Sequence, residues 1–155
     1  MVTIRPAKIK DAPAIAKLNM ELMKHVGKYD KIFKLRPGAL AKMEEWRRKG
    51  VYSSRNKLLV AEDDNKIVGY MAAGIKKRPS IYEVREVGVI SDAYVLPAYR
   101  RQGITKKFVE QALKWMKKKG MTHVHLYAVT KNEVAIEVWK KFGFKEFLKE
   151  KYRRI

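Results

Sequence analysis

The stretch Tyr99-Arg-Arg-Gln-Gly-Ile-Thr-Lys-Lys-Phe108 gathers Arg100, Arg101, Lys106 and Lys107 around the single glycine Gly103. Cations at the start of a helix oppose its macrodipole, so a merely solvated helix end is locally unfavourable and a negative ligand would repair it. Neither GxxxxGK followed by Ser or Thr nor GxGxxG occurs in the chain, which removes the common mononucleotide and dinucleotide loops. What is left is one glycine at a strand-turn-helix junction, where successive backbone N–H groups can hold a phosphate or pyrophosphate and the missing Cβ allows close approach. A grip on nucleic acid stays open as the second reading of the same charges.

A second set of groups suits proton transfer. Asp92 lies in the β-branched segment Arg85–Val95, with Glu86 expected on the same alternating face, and Tyr127 lies on the next expected strand. Each carries a carboxylate or hydroxyl that can take part in acid–base chemistry, and each equally fits an ordinary strand or rim position. Cysteine is absent, so thiol nucleophiles, disulfides and thiolate metal sites are excluded together. His25, His123 and His125 lack metal-ligand spacing, and no metal is expected.

The elements that must position these groups follow from periodicity. Val2–Arg5 reads as a first strand, and Asp11 with Pro13 starts a helix carrying Ile15, Leu18, Leu22 and Val26 at helical spacing. Pro37-Gly38 opens a second helix over Ala39–Lys49 with Leu40, Met43 and Trp46 as its apolar stripe. Lys57–Glu62, the turn Asp63-Asp64-Asn65 and Lys66–Ile75 form a hairpin. The Arg85–Val95 strand stops at Pro97, and from Gly103 onward Ile104, Phe108, Ala112, Trp115 and Met116 mark a helix that Gly120 ends. His123–Val129 is a strand, Asn132 caps a short helix with Ala135, Val138, Trp139 and Phe142 on one face, and Phe144–Tyr152 is long enough for a last strand. The order β-α-α-β-β-β-α-β-α-β makes an α/β (α+β) fold with a mixed sheet.

The chain has 155 residues with 46% hydrophobic content, enough for one domain spanning 1–155 with its own core. No apolar run reaches bilayer length and the N-terminus lacks a leader pattern, so a cytoplasmic setting is expected. Lys and Arg total 36 against 16 Asp and Glu, a formal net charge of +20, and the excess asks for an anionic partner. Lys76-Lys-Arg78, Lys117-Lys-Lys119 and Arg153-Arg154 add to it, without any RNP, zinc-finger or basic-zipper pattern.

Ala93-Tyr-Val-Leu-Pro-Ala-Tyr-Arg-Arg-Gln-Gly-Ile-Thr105 resembles the acetyl-coenzyme A signature of the GNAT superfamily of N-acetyltransferases, a Gln/Arg-x-x-Gly-x-Gly/Ala turn after a strand. Asn132-Glu-Val-Ala-Ile-Glu-Val-Trp-Lys-Lys-Phe-Gly-Phe144 is similar to that family's second signature, and the derived element order agrees with its fold over nearly the whole chain. The resemblance implies acetyl transfer from acetyl-CoA to a primary amine, on a small molecule or on a protein N-terminus or lysine. It implies that Ala93, Tyr94 and Val95 present backbone groups to the pantetheine arm and the acetyl carbonyl. It further implies that the backbone of Arg101, Gln102, Gly103, Ile104, Thr105 and Lys106 wraps the pyrophosphate, and that Asn132 helps to hold the coenzyme.

Two departures qualify it. Thr105 stands where the family has Gly or Ala, which implies weaker coenzyme affinity. Trp139 stands at the family's frequent catalytic tyrosine, and an indole N–H does not give up its proton near neutral pH. Departing coenzyme A needs less help than most leaving groups, since a thiol pKa is about 8.5, whereas an ammonium of pKa about 10.4 must first be deprotonated. Asp92, Glu86 and Tyr127 are the candidates for that work. Two other functions are carried beside the enzyme: a basic nucleic-acid-binding module, held by electrostatics alone, and a coenzyme-binding fold whose catalysis has decayed. A homodimer is expected, and polycationic acceptors are disfavoured by the net charge.

Overall fold

The computed structural model describes residues 1–155. The chain runs β1 (Thr3–Pro6), α1 (Ala12–Val26), α2 (Ala39–Tyr52), β2 (Asn56–Asp63), β3 (Lys66–Lys77), β4 (Glu86–Val95), α3 (Ile104–Lys118), β5 (Val124–Leu126) and α4 (Glu133–Lys141). One sheet holds the strands in the order β1-β2-β3-β4-β5. The first four are antiparallel neighbours, and β5 returns parallel to β4 after the α3 crossover. The β2–β3 hairpin closes on Asp64 and Asn65, both with positive φ, as a two-residue turn between twisted strands requires.

Alternation along the strands fills two apolar layers. Leu58 and Val60 of β2 with Tyr70 and Ala72 of β3 meet Ile15 and Leu18 of α1. Leu59, Ala61, Met71, Ala73 and Ile90 face the other way, onto Ile104, Phe108, Val109, Ala112 and Met116 of α3. Each fully buried large side chain of that stripe contributes roughly 1.5–3 kcal/mol. The three- and four-residue spacing from Ile104 therefore fixes α3 against the sheet, and Trp139 and Phe142 of α4 pack onto the same cluster.

Three expectations change. The expected strand His123–Val129 shrinks to Val124–Leu126, because β4 offers parallel partners only from Gly88 to Ile90. Beyond that point Ser91 is an extra residue between the pairs Ala73↔Ile90 and Ala72↔Asp92, and this β-bulge turns β4 away from β5. The expected last strand over Phe144–Tyr152 is absent, and the segment lies outside any regular element. Its apolar residues do not alternate with charge, and Phe147 and Leu148 are exposed, so no face of a strand would be buried. Finally, Trp46 leaves the α2 stripe: Met43 is buried, whereas Trp46 is 57% exposed.

Candidate active site

The bulge has two consequences for chemistry. It leaves the β5-facing edge of Ser91–Val95 without a strand partner, an open row of backbone groups inside the sheet. It also reverses the alternation. Gly88 and Ile90 face α3, where a Cβ on Gly88 would strike Met116, while Ala93 and Val95 return to the α3 layer only because Ser91 is inserted. Asp92 and Tyr94 thus turn to the α1/α2 layer. Glu86 keeps the parity of Gly88 and Ile90, so the expected shared face of Glu86 and Asp92 does not exist.

After β4, Pro97 opens a short 3₁₀ turn over Pro97–Tyr99, and Tyr99 donates its hydroxyl to Asp63 at 3.2 Å, anchoring the loop on the β2–β3 hairpin. Arg100 folds back, donating through Nε to the Val95 carbonyl at 2.9 Å with its guanidinium 5.5 Å from the Tyr94 ring centre. Arg101 and Gly103 then adopt positive φ of 63° and 76°. This winding leaves every backbone N–H from Arg101 through Lys106 without a hydrogen-bond partner in the protein. No side chain caps α3, no acidic residue sits in its first turn, and a Cβ on Gly103 would meet nothing within 4 Å.

The side chains leave that space clear. Ile104 is buried in the core, Gln102 Nε2 turns back to the Ala98 carbonyl at 3.3 Å, and Thr105 is half-buried and makes no side-chain hydrogen bond. Arg101, Lys106 and Lys107 are exposed around it. A run of free N–H donors at a helix start, ringed by cations and approachable at Gly103, fits a phosphate or pyrophosphate group. Asn132 uses its Oδ1 to cap α4, accepting from the Ala135 N–H at 3.1 Å, and its amide nitrogen is left free as a donor. Trp139 is half-buried against Phe142 and Phe144.

On the opposite layer, Asp92 Oδ2 accepts from Arg47 Nη2 of α2 at 2.6 Å, and the same nitrogen donates to Asn19 Oδ1 of α1 at 2.9 Å. The guanidinium carbon of Arg47 lies 5.3 Å from the ring centre of Tyr70. Tyr70 is fully buried, its hydroxyl has no partner, and burial followed by the charge of Asp92 pushes its pKa well above the usual tyrosine value. Asn19, Arg47 and Tyr70 are functional candidates that periodicity does not reveal. Arg47 follows Trp46 in what reads as a polar turn of α2, and nothing local marks its partner in β4. Asp92 Oδ1 has no protein partner, so one oxygen of an anchored carboxylate is available.

Glu86 is held elsewhere, by Arg55 Nη2 at 2.8 Å on the rim of the sheet. Tyr127 lies just past β5, is 72% exposed and makes no hydrogen bond. The structure thus gathers Ala93, Tyr94, Val95 and the Arg101–Lys106 backbone around the open edge, with Asp92 on its far face; it does not bring Asp92, Glu86 and Tyr127 into one cluster. A cleft of about 240 Å³ reaches the bulge from the α2 side, lined by Trp46, Arg47, Asn56, Lys76, Val89 and Ser91 among others.

Residues 30–144 match the family described as Acetyltransferase (GNAT) family. An uncharacterized N-acetyltransferase of Methanocaldococcus jannaschii is 36% identical over 87 residues, 56% of this chain and 38% of the relative. An N-alpha-acetyltransferase of Sulfurisphaera tokodaii is 36% identical over 95 residues, 56% of this chain and 55% of the relative. The matches therefore span about half, or less, of those relatives' lengths. A predicted acetyltransferase of Clostridium acetobutylicum, solved with acetyl-CoA, shares the fold with a TM-score of 0.82 at 17% identity, covering 99% of this chain and 96% of that one.

Proposed function

The chain belongs to the acetyltransferase (GNAT) family, and from that premise we propose that it transfers an acetyl group from acetyl-CoA to a primary amine by direct attack. The observation that carries this reading is the uninterrupted set of unpartnered N–H groups from Arg101 through Lys106, beside the open edge of β4. The first holds a pyrophosphate; the second offers backbone pairing to a pantetheine arm, as an additional strand would use it. Ala93 and the Val95 N–H supply that edge, the Val95 carbonyl being taken by Arg100 and the Tyr94 backbone by Tyr70 of β3, and the free amide of Asn132 supplies a further donor.

Acetyl-CoA supplies an activated thioester. The amine nitrogen bonds to the carbonyl carbon, the carbon–sulfur bond breaks, and coenzyme A departs with the electron pair while the amine loses a proton. Backbone donors on the β4 edge oppose the charge that develops on the carbonyl oxygen. Asp92 is the favoured proton acceptor, because its free Oδ1 sits at the bulge while Oδ2 is fixed by Arg47. Tyr127, an exposed hydroxyl just past β5, is the candidate for protonating the departing thiolate, a step that a thiol with a pKa of about 8.5 scarcely needs. Glu86, paired with Arg55 and on the other face, is the least favoured of the three. Trp139 is a packing residue.

A thermal-shift titration with acetyl-CoA tests the reading. A ligand at 100 times its Kd stabilises the native state by about 2.7 kcal/mol, so saturation should raise Tm by several degrees. No shift at millimolar acetyl-CoA would remove it.

A further inference from the structure

We propose that the cleft beside the β4 bulge seats the acceptor, and that it selects primary amines on acidic molecules, with a carboxylate on the amine-bearing residue or on the one or two residues after it. This rests on the acetyl-transfer reading above and adds the chemistry of the other substrate.

Position comes first. The anion cradle belongs to the α3 layer, and the cleft belongs to the α1/α2 layer; they meet at the bulge, where Ser91 lines the cleft and the unpaired edge of β4 begins. An amine entering through the cleft and a thioester lying along the edge reach the same point from opposite faces of the sheet, as direct attack requires. At about 30 Å³ per water, a cleft of about 240 Å³ holds a group the size of one or two amino-acid residues. Trp46, largely exposed on the cleft wall, offers an aromatic surface to it.

Charge then narrows the class. The cleft's lining includes Arg47, Lys57 and Lys76 and contains no acidic residue. The charges nearby cancel in pairs: Arg47 against Asp92 at 2.6 Å, and Arg55 against Glu86 at 2.8 Å on the rim. Lys57 lends the cleft only its backbone, since it shares the parity of Leu59 and turns to the α3 layer, but Lys76 lies on the cleft's face of β3 and forms no ion pair, so the cleft keeps one unpaired cation. Arg47 Nε is also buried without an acceptor, a donor still unused beside the seat. A polycationic acceptor meets repulsion in this space, whereas an amine whose neighbouring group is a carboxylate brings the missing charge and leaves its nitrogen at the bulge, where Arg47 of the cleft wall holds Asp92. Free acidic amino acids and the N-termini of acidic peptides share that chemistry.

The test compares acceptors with saturating acetyl-CoA: the tripeptides Ala-Glu-Glu, Ala-Gln-Gln and Ala-Lys-Lys, which present the same α-amine, and free glutamate against glycinamide, which separates amino acids from peptides. The expected result is a kcat/KM at least tenfold higher for the acidic member of one series or both than for its basic or neutral counterpart, shrinking as salt rises. Lys76 is exposed and unpaired, so Lys76→Glu should fold normally, keep the wild-type thermal shift with acetyl-CoA, and lower the acidic-to-basic ratio at least tenfold through KM. Equal rates, a preference for Ala-Lys-Lys, no turnover of any acidic acceptor, or a ratio unmoved in Lys76→Glu would overturn the inference while coenzyme binding stands. Failure of the wild type to bind acetyl-CoA would instead overturn the acetyl-transfer reading, and the inference with it.

Discussion

A single nitrogen of Arg47 lies 2.6 Å from Asp92 and 2.9 Å from Asn19, so one guanidinium ties α1, α2 and the bulge of β4 together. Its own Nε and the hydroxyl of Tyr70 beneath it are buried without partners, which makes this junction a costly one to keep unless it is used.

Asp92→Asn should lower kcat by about 100-fold or more, the lower end of what a positioned acid or base contributes. Arg47→Lys keeps the charge but not the rigid planar guanidinium that seats Nη2 between Asp92 and Asn19, so it should lower kcat by about tenfold with little change in acetyl-CoA binding. Arg47→Ala leaves a mostly buried carboxylate unpaired and should cost about 3 kcal/mol in stability. Steady-state kinetics with urea denaturation on the same variants separate the two effects. Unchanged kcat in Asp92→Asn would remove Asp92 from the chemistry.

At the other end of β4, Gly103→Ala and Thr105→Ala should act in opposite directions. Gly103 has a φ of 76°, where a side chain costs about 1–2 kcal/mol, and its Cβ would project into open space in the middle of the run of free N–H groups along the chain. We expect a lower Tm and about a tenfold weaker acetyl-CoA affinity. Thr105→Ala removes a β-branched side chain from the first turn of α3 and should tighten acetyl-CoA binding. Isothermal titration calorimetry on both variants is the check, and equal affinities across all three proteins would refute the cradle.

Acid stability should depend on Asp11. Burial alone would raise its pKa, but hydrogen bonds from the Arg5 guanidinium and the Lys8 N–H outweigh it and hold the carboxyl below the ordinary value of 3.8. A group whose pKa is lowered on folding stabilises the native state above its unfolded pKa, and that contribution is lost as pH falls through the folded value. Denaturant unfolding between pH 7 and pH 2 should show wild-type stability declining below about pH 4. Asp11→Asn should be about 2–3 kcal/mol less stable at pH 7 and should decline less steeply in acid. Parallel curves for the two proteins would contradict this assignment.

How much was legible in advance follows the range of the interactions. The cradle was readable because it is local: a strand stopped by Pro97, a glycine at 103 and the periodic apolar positions from Ile104 are enough to expose the N–H groups. Trp139 was readable as a packing residue from its place on the α4 stripe. Asp92 was picked out by type, but its partner is 45 positions away in α2, and nothing near Arg47 signals it. The bulge was equally hidden, since Ser91 is one more residue in a β-rich run until β3 sets the register, and its insertion parts Glu86 from Asp92. Over Phe144–Tyr152, length suggested a strand where the lack of alternation gave no face to bury.

The sheet stops on one side at β5, three residues long, beside a β4 edge that is open from the bulge to Val95. An exposed edge is a template for another strand, and short length and repulsion are common defences against it. Here the repulsion is global, since each copy bears a formal +20. Salt shortens that reach to about 10 Å at 0.1 M and about 3 Å at 1 M. Raising the ionic strength therefore weakens the repulsion that guards this edge, and a ligand lying along it would act as a cover for the strand as well as a substrate.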